Sequence, residues 1–324
     1  FEGIDVSCGD AKFLEDILKS GQYDHVLVHL IDTNMWSVLE KFIDKIKVTI
    51  WVHGAEIDTW QKRAYEFEHM SQDEIARQKK LSDNRVKFWR NILSKNYPNL
   101  HLVFVSEYFK NESLEGIGLS LNSDSYSIIH NYIDSKLFGY QKKNSNFRKK
   151  IFSVRPYHSR TYANDMAAKA IKILSKKDFF NDLEFCLIGD GKLFDEITEP
   201  LRQFSNVKLE KRFLQQFEIA NYHKNYGVFL VPTRRDSQGV SRDEAMSSGL
   251  VPITTNTSAI PEFVDNNCGI LTESENPQAL ADAIEYLYYN PDKFVELSCN
   301  ASKRVAVQCS FENTIMKELD IING

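Results

Sequence analysis

Residues 229–255 read FLVPTRRDSQGVSRDEAMSSGLVPITT. The run Val228–Val231 is short and apolar and suits a buried strand. A loop with Pro232, two arginines, Asp236 and Gly239 follows it. A helix then begins near Val240 and should stop at Gly249, where a glycine can take the left-handed cap conformation. Val251, Ile253 and Thr254 suit a second strand. This puts Asp236 in the loop and Glu244 about one turn into the helix. Ser241 and Glu244 share a helix face. Gly239 has no side chain, so a ligand can approach the backbone closely. The free N–H groups at the helix start, with the positive end of its dipole, make an anion site. Two hydroxyl-binding carboxylates flanking an anion cradle suit a sugar nucleotide, which has hydroxyls at both ends and a diphosphate between. Without such a ligand, the same acids are solvated charges on a strand–loop–helix.

The 324 residues around this unit suit two domains. An apolar share of 42% and a charged share of 26% are ordinary for a globular protein. The net charge of −5 gives no global pull toward nucleic acid or an anionic membrane. Cys8, Cys186, Cys268, Cys299 and Cys309 are scattered, with no CxxC pair. That argues for a reducing, cytoplasmic setting and against a zinc site or a disulfide framework. No apolar run reaches the roughly 18–20 residues of a membrane span. Phe1 is not a natural start, so the first domain reads as truncated.

Upstream, residues 11–20 fit an amphipathic helix, His25–Ile31 a buried strand, Met35–Lys45 a helix and Lys47–Val52 a second strand. The alternation predicts a parallel sheet covered by helices, with ligands beyond the carboxyl ends of its strands. His53 stands at such an end, followed by Gly54, Glu56 and Asp58. A lone histidine there is equally a hydrogen-bonded structural residue. Residues 58–95 are helical and basic, with Trp60, Tyr65, Phe67, Phe88 and Trp89 interleaved. That pattern fits a peripheral membrane surface, or an exposed helical pair with internal charge pairs. Strands are expected at His101–Val105 and Tyr126–His130, and a polar linker at 139–150. Beyond it, the strand Ile151–Val154 ends at Arg155, with Arg160 five residues on. Two cations at a strand mouth suit a diphosphate, because arginine makes paired hydrogen bonds to phosphate oxygens. A helix at Asp165–Lys176 leads to the strand Leu183–Ile188, which ends in Gly189-Asp190-Gly191. That turn lacks the third glycine of a dinucleotide fingerprint. Further elements are the strand Val207–Leu209 and helices at Gln216–Tyr226, Gln278–Tyr289, Lys293–Val307 and from Phe311 onward.

The segment 236–262 resembles the E-x7-E region of the family 4 retaining glycosyltransferases, with Asp236 in place of the first glutamate. The likeness runs through Glu244-Ala245-Met246, Gly249, Pro252 and Ile260-Pro261-Glu262. Asn131-Tyr132-Ile133-Asp134 with Phe138 resembles the domain-crossing segment of that family, Tyr132 replacing its glycine. Arg155 and Arg160 stand where the family has an arginine and then a lysine. The resemblance implies the GT-B fold, an α/β architecture of two Rossmann-like domains facing a cleft. Residues 1–138 would form the acceptor-side domain, 139–310 the nucleotide-sugar domain, and 311–324 a helix crossing back. The implied activity is a retaining, metal-independent, hexosyltransferase-like transfer from a nucleoside diphosphate sugar to a glycan or lipid-linked acceptor. Its implied setting is bacterial polysaccharide or glycolipid assembly at the inner face of the membrane, with no cofactor.

On this reading Arg155, Arg160 and the N–H groups after Gly239 hold the diphosphate, and Glu244 and Asp236 hold the ribose and the donor sugar. Ser237, Gln238, Gly239, Val240 and Ser241 line the donor. Phe213 and Leu214 stand where the family reads the nucleobase, largely through the backbone, and His53 meets the transferring sugar or the diphosphate. Glu56 and Asp58 are acceptor candidates. Two rivals remain on the sequence: a nucleotide-sugar epimerase of the same fold, and a non-catalytic nucleotide-sugar-binding subunit.

Overall fold

The computed structural model describes residues 3–54 and 56–324, which group into two units. The first unit runs up to Ala64, resumes at Met70–Ile129 and takes in Ile322–Gly324. Its elements are α1 (Ala11–Lys19), β1 (His25–His29), α2 (Thr33–Leu39), β2 (Lys47–Val52), α3 (Gln72–Leu93), β3 (Leu100–Phe104), α4 (Glu107–Ile117) and β4 (Tyr126–Ile128). The four strands form a parallel sheet in the order β1-β2-β3-β4. The runs of Val and Ile in β2 are buried between covering helices, as a parallel sheet requires.

The stretch expected to be one long basic helical region breaks at Ser71. There a capping box with Glu74 starts α3 and ends the 3₁₀ turns of Trp60–His69. Of its aromatics, Trp60, Tyr65, Phe67 and Phe88 are half-buried and Trp89 is buried. Trp89 lies in the core and donates to the Glu56 carbonyl, and Lys79 sits over the Trp60 ring. Among the described residues no helix is long and apolar enough to cross a membrane.

The second unit comprises Tyr65–His69 and His130–Ile321. Its elements are β5 (Lys150–Val154), α5 (Asn164–Leu174), β6 (Glu184–Gly189), α6 (Phe194–Thr198), β7 (Val207–Lys211), α7 (Gln216–Asn225), β8 (Val228–Leu230), α8 (Val240–Ser247), β9 (Val251–Thr255), α9 (Ile260–Phe263), β10 (Ile270–Thr272), α10 (Pro277–Tyr289), α11 (Pro291–Gln308) and α12 (Ile315–Asn323). All six strands are parallel, in the order β7-β6-β5-β8-β9-β10. Counted from β5, this is the 3-2-1-4-5-6 order of a doubly wound nucleotide-binding sheet. Strand order reverses between β5 and β8, and that point is where such sheets bind ligands.

The division between units falls before His130, earlier than the switch at 138/139 expected from sequence. The reason is the packing of residues 130–138 on the second unit, where Asn131 N donates to Gln238 Oε1 and Ile133 N to the Cys309 carbonyl. The expected linker 139–150 lies on the second unit, where Gln141 N donates to the Ser248 carbonyl and Lys143 Nζ to the His223 carbonyl. Burial lowers the Lys143 pKa to about 8. The last helix also starts later than expected, at Ile315.

Candidate functional site

Arg155 leaves the end of β5 and the Asp236 loop leaves the end of β8, so both stand at the reversal point. Arg155 is 5% exposed. Its backbone N donates to the Ile188 carbonyl, its guanidinium lies over the Tyr162 ring, and Nη1 donates to Ser241 Oγ at 2.9 Å. Nη2 is 3.9 Å from Asp236 Oδ2, an ion pair too long for a hydrogen bond. Nε and Nη2 are buried without a hydrogen-bond partner. Burial lowers the Arg155 pKa, and the Asp236 carboxylate opposes that shift. Leaving a buried polar group unsatisfied costs roughly 1–3 kcal/mol, more for a charged one. The guanidinium keeps two nitrogens that no described residue satisfies, beside a carboxylate too distant to hydrogen-bond.

The start of α8 adds donors. Gly239 precedes it at φ +99°, a left-handed conformation, and no side chain caps the helix. The N–H groups of Arg242 and Asp243 bond to the Gly239 carbonyl. Those of Gly239, Val240 and Ser241 have no acceptor among the described residues. Asp236 Oδ1 accepts the Gln238 N–H at 3.3 Å and holds the loop's bend. Further along the helix, Glu244 is 7% exposed and its carboxylate has no hydrogen-bond partner among the described residues. Burial first, and the neighbouring Asp243 charge second, raise its pKa to about 7.

Threonines and glycines fix these loops. Thr233 bonds through its N–H and its carbonyl to the Thr255 hydroxyl, and its own hydroxyl donates to the Thr161 carbonyl. The Arg234 N–H also reaches the Thr161 carbonyl, tying the β8 loop to the β5 loop. The Gly189-Asp190-Gly191 turn lies on the Arg155 turn. A Cβ on Gly189 would sit 1.9 Å from the Arg155 carbonyl, and Tyr157 N donates to the Asp190 carbonyl at 2.7 Å. That turn thus serves the site through close backbone packing.

Arg155, Asp236, Gly239, Val240, Ser241 and Glu244 stand together on the two loops and the first turns of α8; the other candidates part from them. Ser237 is half-buried in the same loop. Arg160 turns away: its Nη2 bonds Glu196 Oε1 at 3.0 Å, and it lines a separate cavity of about 540 Å³ with Asp165, Lys172, Arg234 and Glu275. The Gln238 side chain is 1% exposed and held by Asn131 and Asp243, leaving only its backbone for a ligand. Leu214 is a core residue packed with Phe152 and Phe229, while Phe213 is 75% exposed.

In the first unit, His53 follows β2, and its Nε2 is 2.8 Å from Nδ1 of His29 at the end of β1. Both Glu56 carboxylate oxygens accept backbone N–H groups of that turn, from His53 and Gly54. Asp58 is buried beside Arg85. Glu56 thus shapes the turn after β2 while staying half-exposed, and Asp58 lies inside. Sequence reasoning missed Tyr162, the platform for Arg155, and the buried Arg242–Asp243 pair. Spacing gave no signal for the pair, because neighbouring residues of a helix do not ordinarily face each other.

Residues 148–290 match the family Glycosyl transferases group 1. Arg155, Asp236 and Glu244 all lie inside that segment. An uncharacterized glycosyltransferase of Methanocaldococcus jannaschii is 26% identical over 217 residues, covering 66% of this chain and 57% of its own. The capsular polysaccharide biosynthesis glycosyltransferase CapM of Staphylococcus aureus is 29% identical over 47% of this chain and 40% of its own. The chain thus spans well under two thirds of either relative. The crystal structure of Anabaena HepE in complex with UDP-glucose superposes with a TM-score of 0.71 at 15% identity, covering 97% of this chain and 81% of HepE. The two parallel-sheet units have the fold of GT-B glycosyltransferases.

Proposed function

We propose that this protein is a retaining family 4 glycosyltransferase that moves a sugar from a nucleoside diphosphate sugar to an acceptor hydroxyl. The observation that carries this reading is the Arg155 guanidinium. It is buried with two nitrogens that make no hydrogen bond, beside three N–H groups at the start of α8 without an acceptor, among the described residues. A diphosphate satisfies both sets of donors. Glu244 then accepts the ribose hydroxyls and Asp236 those of the donor sugar. His53 keeps the part the resemblance gives it, contact with the transferring sugar or the diphosphate. HepE, of the same fold, has been crystallised with UDP-glucose, which supports a sugar nucleotide as the ligand class.

In the reaction, the bond between the anomeric carbon and the diphosphate oxygen breaks. Charge grows on the departing diphosphate, and Arg155 and the N–H groups are already oriented to stabilise it. The acceptor hydroxyl attacks from the same face, and the departing phosphate oxygen takes its proton. The configuration is retained without a protein nucleophile and without a metal. CapM, a capsule enzyme by name, supports a place in polysaccharide or glycolipid assembly; we assign it to the cytoplasmic face of the membrane.

The test is a thermal-shift screen of nucleoside diphosphate sugars, followed by NMR of products made from the best donor. A ligand at 100 times its dissociation constant adds about 2.7 kcal/mol of stability. Release of nucleoside diphosphate with an axial product linkage from an axial donor is expected. A free, altered sugar nucleotide would make the protein an epimerase. Binding without turnover across acceptors would make it a binding subunit.

A further inference from the structure

Arg242 is the largest charged side chain among the fully buried ones, at 1% exposed. Its Nε and Nη2 both go to Asp243 Oδ1, at 3.0 and 2.6 Å. The other Asp243 oxygen accepts the Gln238 amide at 3.1 Å. Phe263 packs against the guanidinium, with its ring centre 5.0 Å away. Nη1 is buried and has no partner. That corner of the fork faces Gly239: a Cβ built there would lie 2.7 Å from Nη1. Gly239 is the residue that opens the row of unpaired N–H groups.

We propose that Arg242 is the second cation of the anion site, acting from beneath Gly239 in the place sequence gave to Arg160. This rests on the reading that a donor diphosphate binds at Arg155. Three unpaired guanidinium nitrogens, Nε and Nη2 of Arg155 and Nη1 of Arg242, border the same loop. Arg155 feels Arg242 as a like charge. Asp243 engages the Nε–Nη2 edge of the Arg242 fork, which leaves Nη1 toward Gly239 without a hydrogen bond. Two like charges so placed fit a diphosphate better than a single phosphate, whereas Arg160 is committed to Glu196 at 3.0 Å. Arg242 also fixes the loop's shape, because Asp243 and Gln238 link it to Asn131.

Calorimetry with inorganic pyrophosphate and inorganic phosphate separates these roles. The variant is Arg242→Met with Asp243→Asn, which removes the cation without stranding a buried carboxylate. Pyrophosphate should bind about tenfold more weakly or worse, the loss expected for a charge-assisted contact. Orthophosphate should change much less. Equal weakening of both anions, or no change in either, overturns the proposal. Arg155→Ala is run beside it. If Arg155→Ala abolishes pyrophosphate binding while the Arg242 variant binds normally, only this proposal fails. If Arg155→Ala binds normally as well, the donor site itself has been misread. Should the double variant not fold, a crystal structure of the unaltered protein with pyrophosphate decides. A phosphate on the Gly239–Ser241 backbone with Arg242 nearer than Arg160 supports the proposal, and Arg160 nearer overturns it. An empty site there overturns both readings.

Discussion

Replacing Glu244 by Gln should make the ligand-free protein more stable at pH 8 while weakening its hold on a nucleotide. The native Glu244 carboxyl keeps its proton to about pH 7 because burial penalises the charge, while its ordinary value is 4.5. Between these values the native state binds more protons than the unfolded one, so stability falls as pH rises. The loss begins near pH 4.5 and is complete above about 7. At about 1.4 kcal/mol per pH unit it amounts to about 3 kcal/mol. Gln carries no charge and escapes this loss. Its advantage should be small near pH 4, open between pH 4.5 and 7, and stay constant above. At roughly 2–4 °C per kcal/mol, that is several degrees of melting temperature at pH 8. Differential scanning calorimetry of both proteins from pH 4 to 8 reads it. Nucleotide affinity should move the other way. A carboxylate that accepts ribose hydroxyls must be ionised, so wild-type affinity should rise with pH up to about 7. The Gln variant should bind more weakly by roughly 1.5–3 kcal/mol and show no such rise. A stability gain that is absent at pH 8, or identical at pH 4.5 and 8, would refute the reasoning.

Arg155→Ala should cost roughly 1.5–3 kcal/mol for a nucleoside diphosphate and little for the bare nucleoside; equal losses measured by calorimetry would make Arg155 structural. Asp236→Asn should spare nucleotide affinity and lower turnover of the full donor, because a contact made at the reacting sugar acts mainly in the transition state; nucleotide binding lost as in Glu244→Gln would erase the division of roles. Donor binding measured with excess EDTA should match binding without it, and a strict magnesium or manganese requirement would count against the arginine-and-amide site.

The alternation of apolar strands and amphipathic helices made the parallel sheets legible, since a strand buried on both faces must be apolar throughout. The helix stop at Gly249 was legible for a similar reason: its φ of +85° is a conformation glycine accepts readily. Asp236, Gly239 and Glu244 could be placed because local spacing fixes them on one loop and one helix. Arg160 could not, because its direction depends on Glu196, which reaches it from a different element. The side chains of Gln238 and Leu214 point inward, which spacing does not show and which leaves their backbone as the part a ligand can meet. The linker was misread because polar composition was taken for exposure, whereas Lys143 is buried under a backbone carbonyl. Neither α4 nor β10 was anticipated; β10, at Ile270–Thr272, is a three-residue edge strand too short for a periodicity to show.

The site's cost also argues for the direction in which a ligand lies. Arg155 and Glu244 are buried groups of opposite tendency, and they do not neutralise each other. Ser241 takes one Arg155 nitrogen, Asp236 stops at 3.9 Å, and Glu244 is left to hold a proton. The stitched threonines keep the two loops from collapsing to close that gap. Such an arrangement lowers the stability of the empty protein, and a ligand regains that loss only by meeting both groups at once. On the proposed function, an anionic centre faces Arg155 and the α8 amides, with hydrogen-bond donors facing Glu244. A nucleoside diphosphate meets both demands when its ribose lies along α8 and its phosphates lie at Gly239. The reversed pose would set phosphate against the Glu244 carboxyl and leave the Arg155 nitrogens unpaired.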